Sequence, residues 1–201
     1  QGTYAKHPFV SVSLIGLVAW ALPFALVFGA SYDVLRVSTL VLALAGAWAT
    51  AATARRLGAP RWASILAGGT LLYSPIYFTL SYSFMTDVPQ IAASALAAYC
   101  FVRAIQSRRS GWIVLGAALS VAAFFVRQPA IGVLMAFWCL AAIPLVMAAV
   151  RRFGAPVPSL SGAITPRMYG ALAASTAAAA LIIALWLRLY PYSEHQSTWL
   201  G

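Results

Sequence analysis

Residues 101–128 read FVRAIQSRRSGWIVLGAALSVAAFFVRQ, and the placement of charge in this stretch decides the fold. Arg103, Arg108 and Arg109 close one apolar run, the uncharged segment 111–126 forms the next, and Arg127 ends it. Segments of about 20 apolar residues cross the roughly 30 Å hydrocarbon layer of a bilayer as helices. The same pattern repeats in both directions along the chain. Nine of the 13 basic residues fall in the clusters Arg55/Arg56/Arg61, Arg103/Arg108/Arg109 and Arg151/Arg152/Arg167. These clusters stand roughly 48 residues apart, the period of a helical hairpin that crosses a bilayer twice.

Six crossings are predicted between and around the clusters, at 37–54, 62–80, 88–105, 111–126, 129–150 and 168–189. Gly58 and Pro60, the run from Ser107 to Gly111, and the Pro156, Pro158, Gly162, Pro166 loop punctuate them. The expected fold class is therefore all-α, a polytopic transmembrane helix bundle forming a single membrane-embedded domain. Composition agrees: 8% of residues are charged, against about a quarter in a soluble domain. A net charge of +10 would suggest nucleic acid in a soluble protein. Here the arginines flank apolar spans, where they meet anionic lipid head groups and fix topology, so membrane lipids are expected partners and nucleic acid is not. Cys100 and Cys139 lie inside apolar segments without metal or redox spacing and read as small core residues.

Loops that stay in the cytoplasm keep Lys and Arg. With the three clusters inside, residues 30–36, 77–87, 127–128 and 190–201 fall outside, and the residues able to do chemistry collect there. A seventh apolar stretch, 9–29, is long enough to span, and hydropathy favours spanning despite Pro23, Ser11, Ser13 and Gly16. A crossing there would put Lys6 and His7 in the cytoplasm.

Only three acidic residues exist, Asp33, Asp87 and Glu194. Asp87 ends Ser81-Tyr82-Ser83-Phe84-Met85-Thr86-Asp87, where one span gives way to the next. Asp or Thr as an N-cap before Pro89 is an ordinary helix start. The same carboxylate, beside Tyr82 and Ser83, could instead bind a divalent metal, orient a basic residue or hold a sugar hydroxyl. Arg127 is the sharper anomaly, being a cation on the side from which cations are otherwise largely excluded. An arginine costs about 2.5–3.5 kcal/mol at mid-membrane on insertion scales. Snorkelling relieves this, and an anion bound through paired N–H donors relieves it further. Gln128-Pro129 reads as the cap of the following helix. Asp33 and Arg36 read as a pair at a helix start, Arg188 as a helix-end anchor, and Glu194 and His195 as part of an aromatic interfacial girdle.

Taken in order, Lys6-His7-Pro8-Phe9, Phe28-Gly29-Ala30-Ser31, Leu35-Arg36-Val37, Arg55-Arg56-Leu57-Gly58, Ser74-Pro75, Met85-Thr86-Asp87-Val88-Pro89 and Arg127-Gln128 resemble one family. It is the GT-C glycosyltransferases of the dolichyl-phosphate-mannose protein mannosyltransferase and aminoarabinose transferase type. The resemblance runs from residue 4 to about residue 150. It implies a GT-C-like fold and transfer of a sugar from a polyprenyl-phosphate donor to an acceptor glycan, lipid or protein. It also implies the extracytoplasmic face of a bacterial inner membrane. By the same resemblance 9–29 is juxtamembrane, which leaves Lys6 and His7 outside. His7 and Lys6 then join Arg127 as donor phosphate ligands, Asp87 is the site carboxylate, and Tyr82 and Gln128 support it.

The chain departs from the family pattern at Phe9, which replaces a second Pro, and at Lys6, which stands where some members carry a metal-binding Glu. The catalytic Asp of the first outer loop would lie upstream of Gln1. The chain therefore reads as an excerpt of a longer protein, inactive in transfer by itself, and its metal requirement stays open. Two other classes compete. A transporter or flippase-like bundle calls for inverted repeats and ionisable residues at mid-membrane. A structural membrane subunit needs only small-residue helices such as 171–184.

Overall fold

The computed structural model describes residues 15–152 and 164–189, and every regular element among them is helical. The elements are α1 (Ile15–Phe28), α2 (Tyr32–Arg56), α3 (Arg61–Tyr73), α4 (Pro75–Ser81), α5 (Asp87–Ser107), α6 (Ser110–Val126), a 3-10 turn (Gln128–Ile131), α7 (Gly132–Arg152) and α8 (Pro166–Leu189). This is the all-α polytopic bundle expected from the charge pattern.

Local chemistry sets the boundaries. Ser31 caps α2, its hydroxyl accepting the Val34 N–H at 3.3 Å, so the helix starts before the expected span and takes Asp33 and Arg36 into its first turns. Those two pair at 3.8 Å on an exposed face. Gly58, at φ +98°, turns the chain after α2. The segment 62–80, read as one crossing, is instead two helices bent by 65° at Ser74. Pro75 is the cause: it disfavours helical backbone at the residue before it and has no N–H of its own to continue the ladder. At the end of α5 the chain turns on Arg108, at φ 52°, a left-handed position that usually holds glycine.

Four helices are long and apolar enough to cross a membrane: α2, α5, the 3-10 turn continued by α7, and α8; the bent pair α3–α4 would make a fifth. The 17 residues of α6 rise about 26 Å, a little short of the hydrocarbon thickness. Arg109 and Arg127 flank it, and such side chains can snorkel to cover the difference.

The packing centres on α5, which runs between α2 on one side and α6 on the other. Gly46 lets α2 approach α5: a methyl added there would meet the Ala92 Cα at 2.7 Å and the Tyr77 hydroxyl at 2.8 Å. That hydroxyl donates to the Ala43 carbonyl at 3.0 Å, tying α4 to α2. Gly116 does the same for α6, its missing side chain leaving room for Phe101, which in turn stacks on Phe137 with centroids 4.2 Å apart. Met168 and Leu172 at the start of α8 join Phe101, Ile113 and Leu134 in the same core cluster, so α8 is seated on the α5–α6 hairpin. Trp138 donates to the Thr176 hydroxyl at 2.8 Å and Tyr169 to the Ala141 carbonyl at 2.6 Å, which locks α8 to α7. Cys100 is buried as expected, but Cys139 is exposed. On α7 the inward face is held by Leu134, Phe137 and Ala141, and Cys139 points away from it.

The bundle thus has two ends. One carries the three arginine clusters, the other Asp87 and Arg127. Gly16 in α1 lies against the backbone of Phe125 and Val126, Trp20 donates to the Ser38 carbonyl at 3.0 Å, and Phe28 leads through Gly29 into α2. Helix α1 therefore begins and ends near the Arg127 end of the bundle, and its 14 described residues rise only about 21 Å.

Candidate functional site

The Arg127 end is assembled from two helix boundaries. Thr86 is the N-cap of α5 but makes no side-chain capping bond, and Asp87 is the first helical residue. The helix start expected here is therefore present, with Thr86 at the N-cap position, while the Asp87 carboxylate is directed elsewhere. It forms an ion pair with the Arg127 guanidinium, through Oδ1 and one Nη. Arg127 is extended, at φ −159°, between the end of α6 and the 3-10 turn, and its own N–H is taken by the Ala123 carbonyl at 2.8 Å. The close α5–α6 packing brings the start of one helix beside the end of the other, so two residues forty positions apart meet.

The pair is accessible. The Arg127 side chain is 47% exposed and that of Asp87 35%, so solvent or a ligand reaches both. A guanidinium offers five N–H donors in a planar fork, and one carboxylate occupies at most two. The remaining donors stay available while Asp87 fixes the direction of the fork.

Other candidate residues stand apart. Tyr82 is exposed at the end of α4 with its ring edge-on to Phe78, centroids 5.2 Å apart. Ser83 bonds locally to the Leu80 carbonyl. Gln128 is exposed and opens the 3-10 turn, so Pro129 stands within that turn rather than at the start of α7. Among the described residues no hydrogen bond joins Tyr82 or Gln128 to the pair. Lys6, His7, Glu194 and His195 lie outside the described residues. Among the described residues no three His, Cys, Asp or Glu side chains converge to hold a metal ion.

A family model for dolichyl-phosphate-mannose-protein mannosyltransferase matches residues 6–168. The chain belongs to that family. Neither the curated proteins nor the solved structures provide a match. Membership makes it a membrane glycosyltransferase of the mannosyltransferase-like class, and the apolar helices that carry it agree with an integral membrane protein. The matched residues include both members of the Asp87–Arg127 pair as well as α1 through α7.

Two features of this end were not anticipated from the sequence. One is the bend at Ser74, for which Ser74-Pro75 was the available signal. The other is the contact of Gly16 with the last residues of α6, which puts α1 beside Arg127. Gly16 was read as a weakness in a spanning helix, whereas it permits a close helix crossing.

Proposed function

We propose that the chain forms the donor side of an enzyme that transfers a sugar from a polyprenyl-phosphate to an acceptor on the extracytoplasmic face of a bacterial inner membrane. The single observation that carries the reading is the exposed Asp87–Arg127 ion pair at the end of the bundle opposite the arginine clusters. Retention of cationic loops in the cytoplasm makes that end the outer one. Helix α1 is then juxtamembrane, flanking the pair, and the family resemblance assigns Lys6 and His7 to the same side.

The chemistry follows from charge. As the bond between the sugar C1 and the phosphate oxygen breaks, the phosphate keeps the electron pair and its negative charge grows. A guanidinium already oriented by Asp87 stabilises that charge without reorganising, which is where electrostatic catalysis gains most. The acceptor hydroxyl oxygen bonds to C1 and gives its proton to a carboxylate base, as the family resemblance implies. Lys6 and His7 add positive charge at the leaving group, and Tyr82 and Gln128 border the sugar.

A structural reading draws on the same contact, since Asp87 neutralises Arg127 within the chain. The experiment that separates the two is sugar transfer and abundance measured together in the full-length protein. Arg127→Ala and Asp87→Asn are expected to abolish transfer while insertion and abundance stay unchanged. Loss of abundance in step with loss of transfer would overturn the enzymatic assignment.

A further inference from the structure

The arginines at the other end of the bundle are not equivalent. Arg56 donates to the Tyr99 hydroxyl at 3.4 Å and to Gln106 Oε1 at 3.2 Å, while Gln106 returns a bond to the Arg56 carbonyl at 2.6 Å. Arg103 donates to the same Tyr99 hydroxyl at 3.2 Å and lies over the Trp112 ring at 4.0 Å. Arg55 reaches the Ala59 carbonyl at 3.2 Å. By contrast Arg108, Arg109 and Arg167 make no side-chain hydrogen bond or ion pair among the described residues. These three line one open cavity of about 610 Å³, together with the first residues of α6 and α8, Ser110 and Pro166.

Among the described residues no carboxylate lies at this end of the bundle. The two described carboxylates, Asp33 and Asp87, stand in the first turns of α2 and α5, at the opposite end. Three arginines therefore line one recess together with the N-termini of two helices, which add partial positive charge. Nothing among the described residues supplies their counter-ion.

A second cavity indicates what that counter-ion is attached to. Between the same two helices runs an apolar groove of about 580 Å³, bounded by Val114, Ala118 and Phe125 on α6 and by Ala174, Ala178 and Ile182 on α8. It begins one turn beyond Gly111, which lines the charged cavity, and continues toward the Arg127 end. A charged recess followed by an apolar channel between one pair of membrane helices matches an amphiphile with an anionic head and an acyl chain.

We propose that Arg108, Arg109 and Arg167 form a binding site for the phosphate of one anionic phospholipid, whose acyl chain lies in the α6–α8 groove. The site stands at the other end of the bundle from the glycosyl-transfer site and does not depend on that assignment. The lipid acts as a wedge that holds α8 against the α5–α6 hairpin and supplies the negative charge that this end lacks.

The test uses the purified chain in a neutral detergent, with phosphatidylglycerol, phosphatidylcholine or inorganic phosphate added and retained lipid counted by native mass spectrometry. Phosphatidylglycerol should be retained and phosphatidylcholine not. Each arginine removed should weaken retention by about fivefold, so Arg108→Gln with Arg167→Gln should weaken it about 25-fold. Arg55→Gln with Arg61→Gln removes the same charge from the same end and should leave retention unchanged. Equal weakening by the two double variants would mean a diffuse cationic surface and would overturn the site. Displacement of the lipid by an equal concentration of inorganic phosphate would overturn the lipid assignment. One arm needs no variant: raising salt from about 0.05 M to about 1 M should strip phosphatidylglycerol from the unmodified chain, since screening weakens accessible charge pairs, and unchanged retention would count against the proposal.

Discussion

The two ends of this bundle carry the same cationic group in opposite circumstances. At one end Arg127 has an aspartate against it; at the other, the clustered arginines whose side chains are described have no acid against them among the described residues. The difference teaches how a membrane protein uses arginine. Where the chain supplies the carboxylate, the guanidinium is oriented in advance and can act on a ligand that arrives and leaves. Where the chain supplies none, some arginines bind aromatic and carbonyl partners, as Arg56 and Arg103 do on Tyr99 and Trp112, and the rest are left for ions from the membrane. Orientation by an internal acid suits turnover, and absence of one suits tight resident binding.

The comparison breaks most visibly at Arg127. If its role is to stabilise a phosphate leaving group, Arg127→Ala should lower transfer by the full-length enzyme by about 10²–10³-fold, the scale of losing one preorganised donor. Lipid retention at the far end should not change. Reversing the pair tests orientation separately. Arg127→Asp combined with Asp87→Arg restores an ion pair between the same positions but moves the cation to α5. Because both side chains are at least a third exposed, the pair itself contributes no more than about 1 kcal/mol to stability. The double variant should therefore match the unmodified protein in abundance and remain inactive in transfer. Recovery of transfer would show that the position of the cation is immaterial and would end the proposed division of labour.

A change in the middle of α6 should instead affect both ends together. Gly116 leaves room for Phe101, and a methyl there would lie 2.7 Å from the ring. The ring cannot easily move away, because it is stacked on Phe137 at 4.2 Å. Gly116→Val should destabilise the bundle by about 1–3 kcal/mol through overpacking. Thermal unfolding in detergent would record it, and transfer and phosphatidylglycerol retention should fall in parallel. Loss at one end alone would mean that α6 does not couple them.

Much of this was legible in the sequence, for definable reasons. Hydropathy and arginine spacing pointed to an all-α polytopic bundle, because the bilayer imposes a length on each apolar run and a sign on each loop, although four or five helices reach spanning length where six crossings were expected. The anomaly of Arg127 was visible for the same reason, as was the pairing of Asp33 with Arg36, which needs only helical spacing. The meeting of Asp87 with Arg127 required the α5–α6 packing, which rests on Gly116 and Phe101 and has no linear signature. The bend at Ser74 was hidden because Pro75 does not lower hydropathy enough to interrupt a span. The exposure of Cys139 was hidden because in a membrane the outward face of a helix is as apolar as the inward one. That equality also concealed the α6–α8 groove, whose alanines look the same whether they pack on a helix or on a lipid chain.

The smallest expected effect lies at Arg108, and it has two signs. The residue ends α5 in left-handed backbone at φ 52°, where an L side chain is strained and glycine is not. Arg108→Gly should therefore raise chain stability by up to about 1 kcal/mol, read as a higher unfolding temperature in neutral detergent without added lipid. The same substitution removes one of three guanidinium groups from the charged cavity. With phosphatidylglycerol present the order should narrow or invert, because the unmodified chain gains stability from a ligand that the variant holds less tightly. A glycine variant more stable by the same margin with and without the anionic lipid would show that Arg108 is there for topology alone. An arginine retained where the turn geometry favours glycine, and worth keeping only when lipid is bound, would place the two ends of the bundle on the footing described above: one cation oriented by the chain, the other strained by it and satisfied by the membrane.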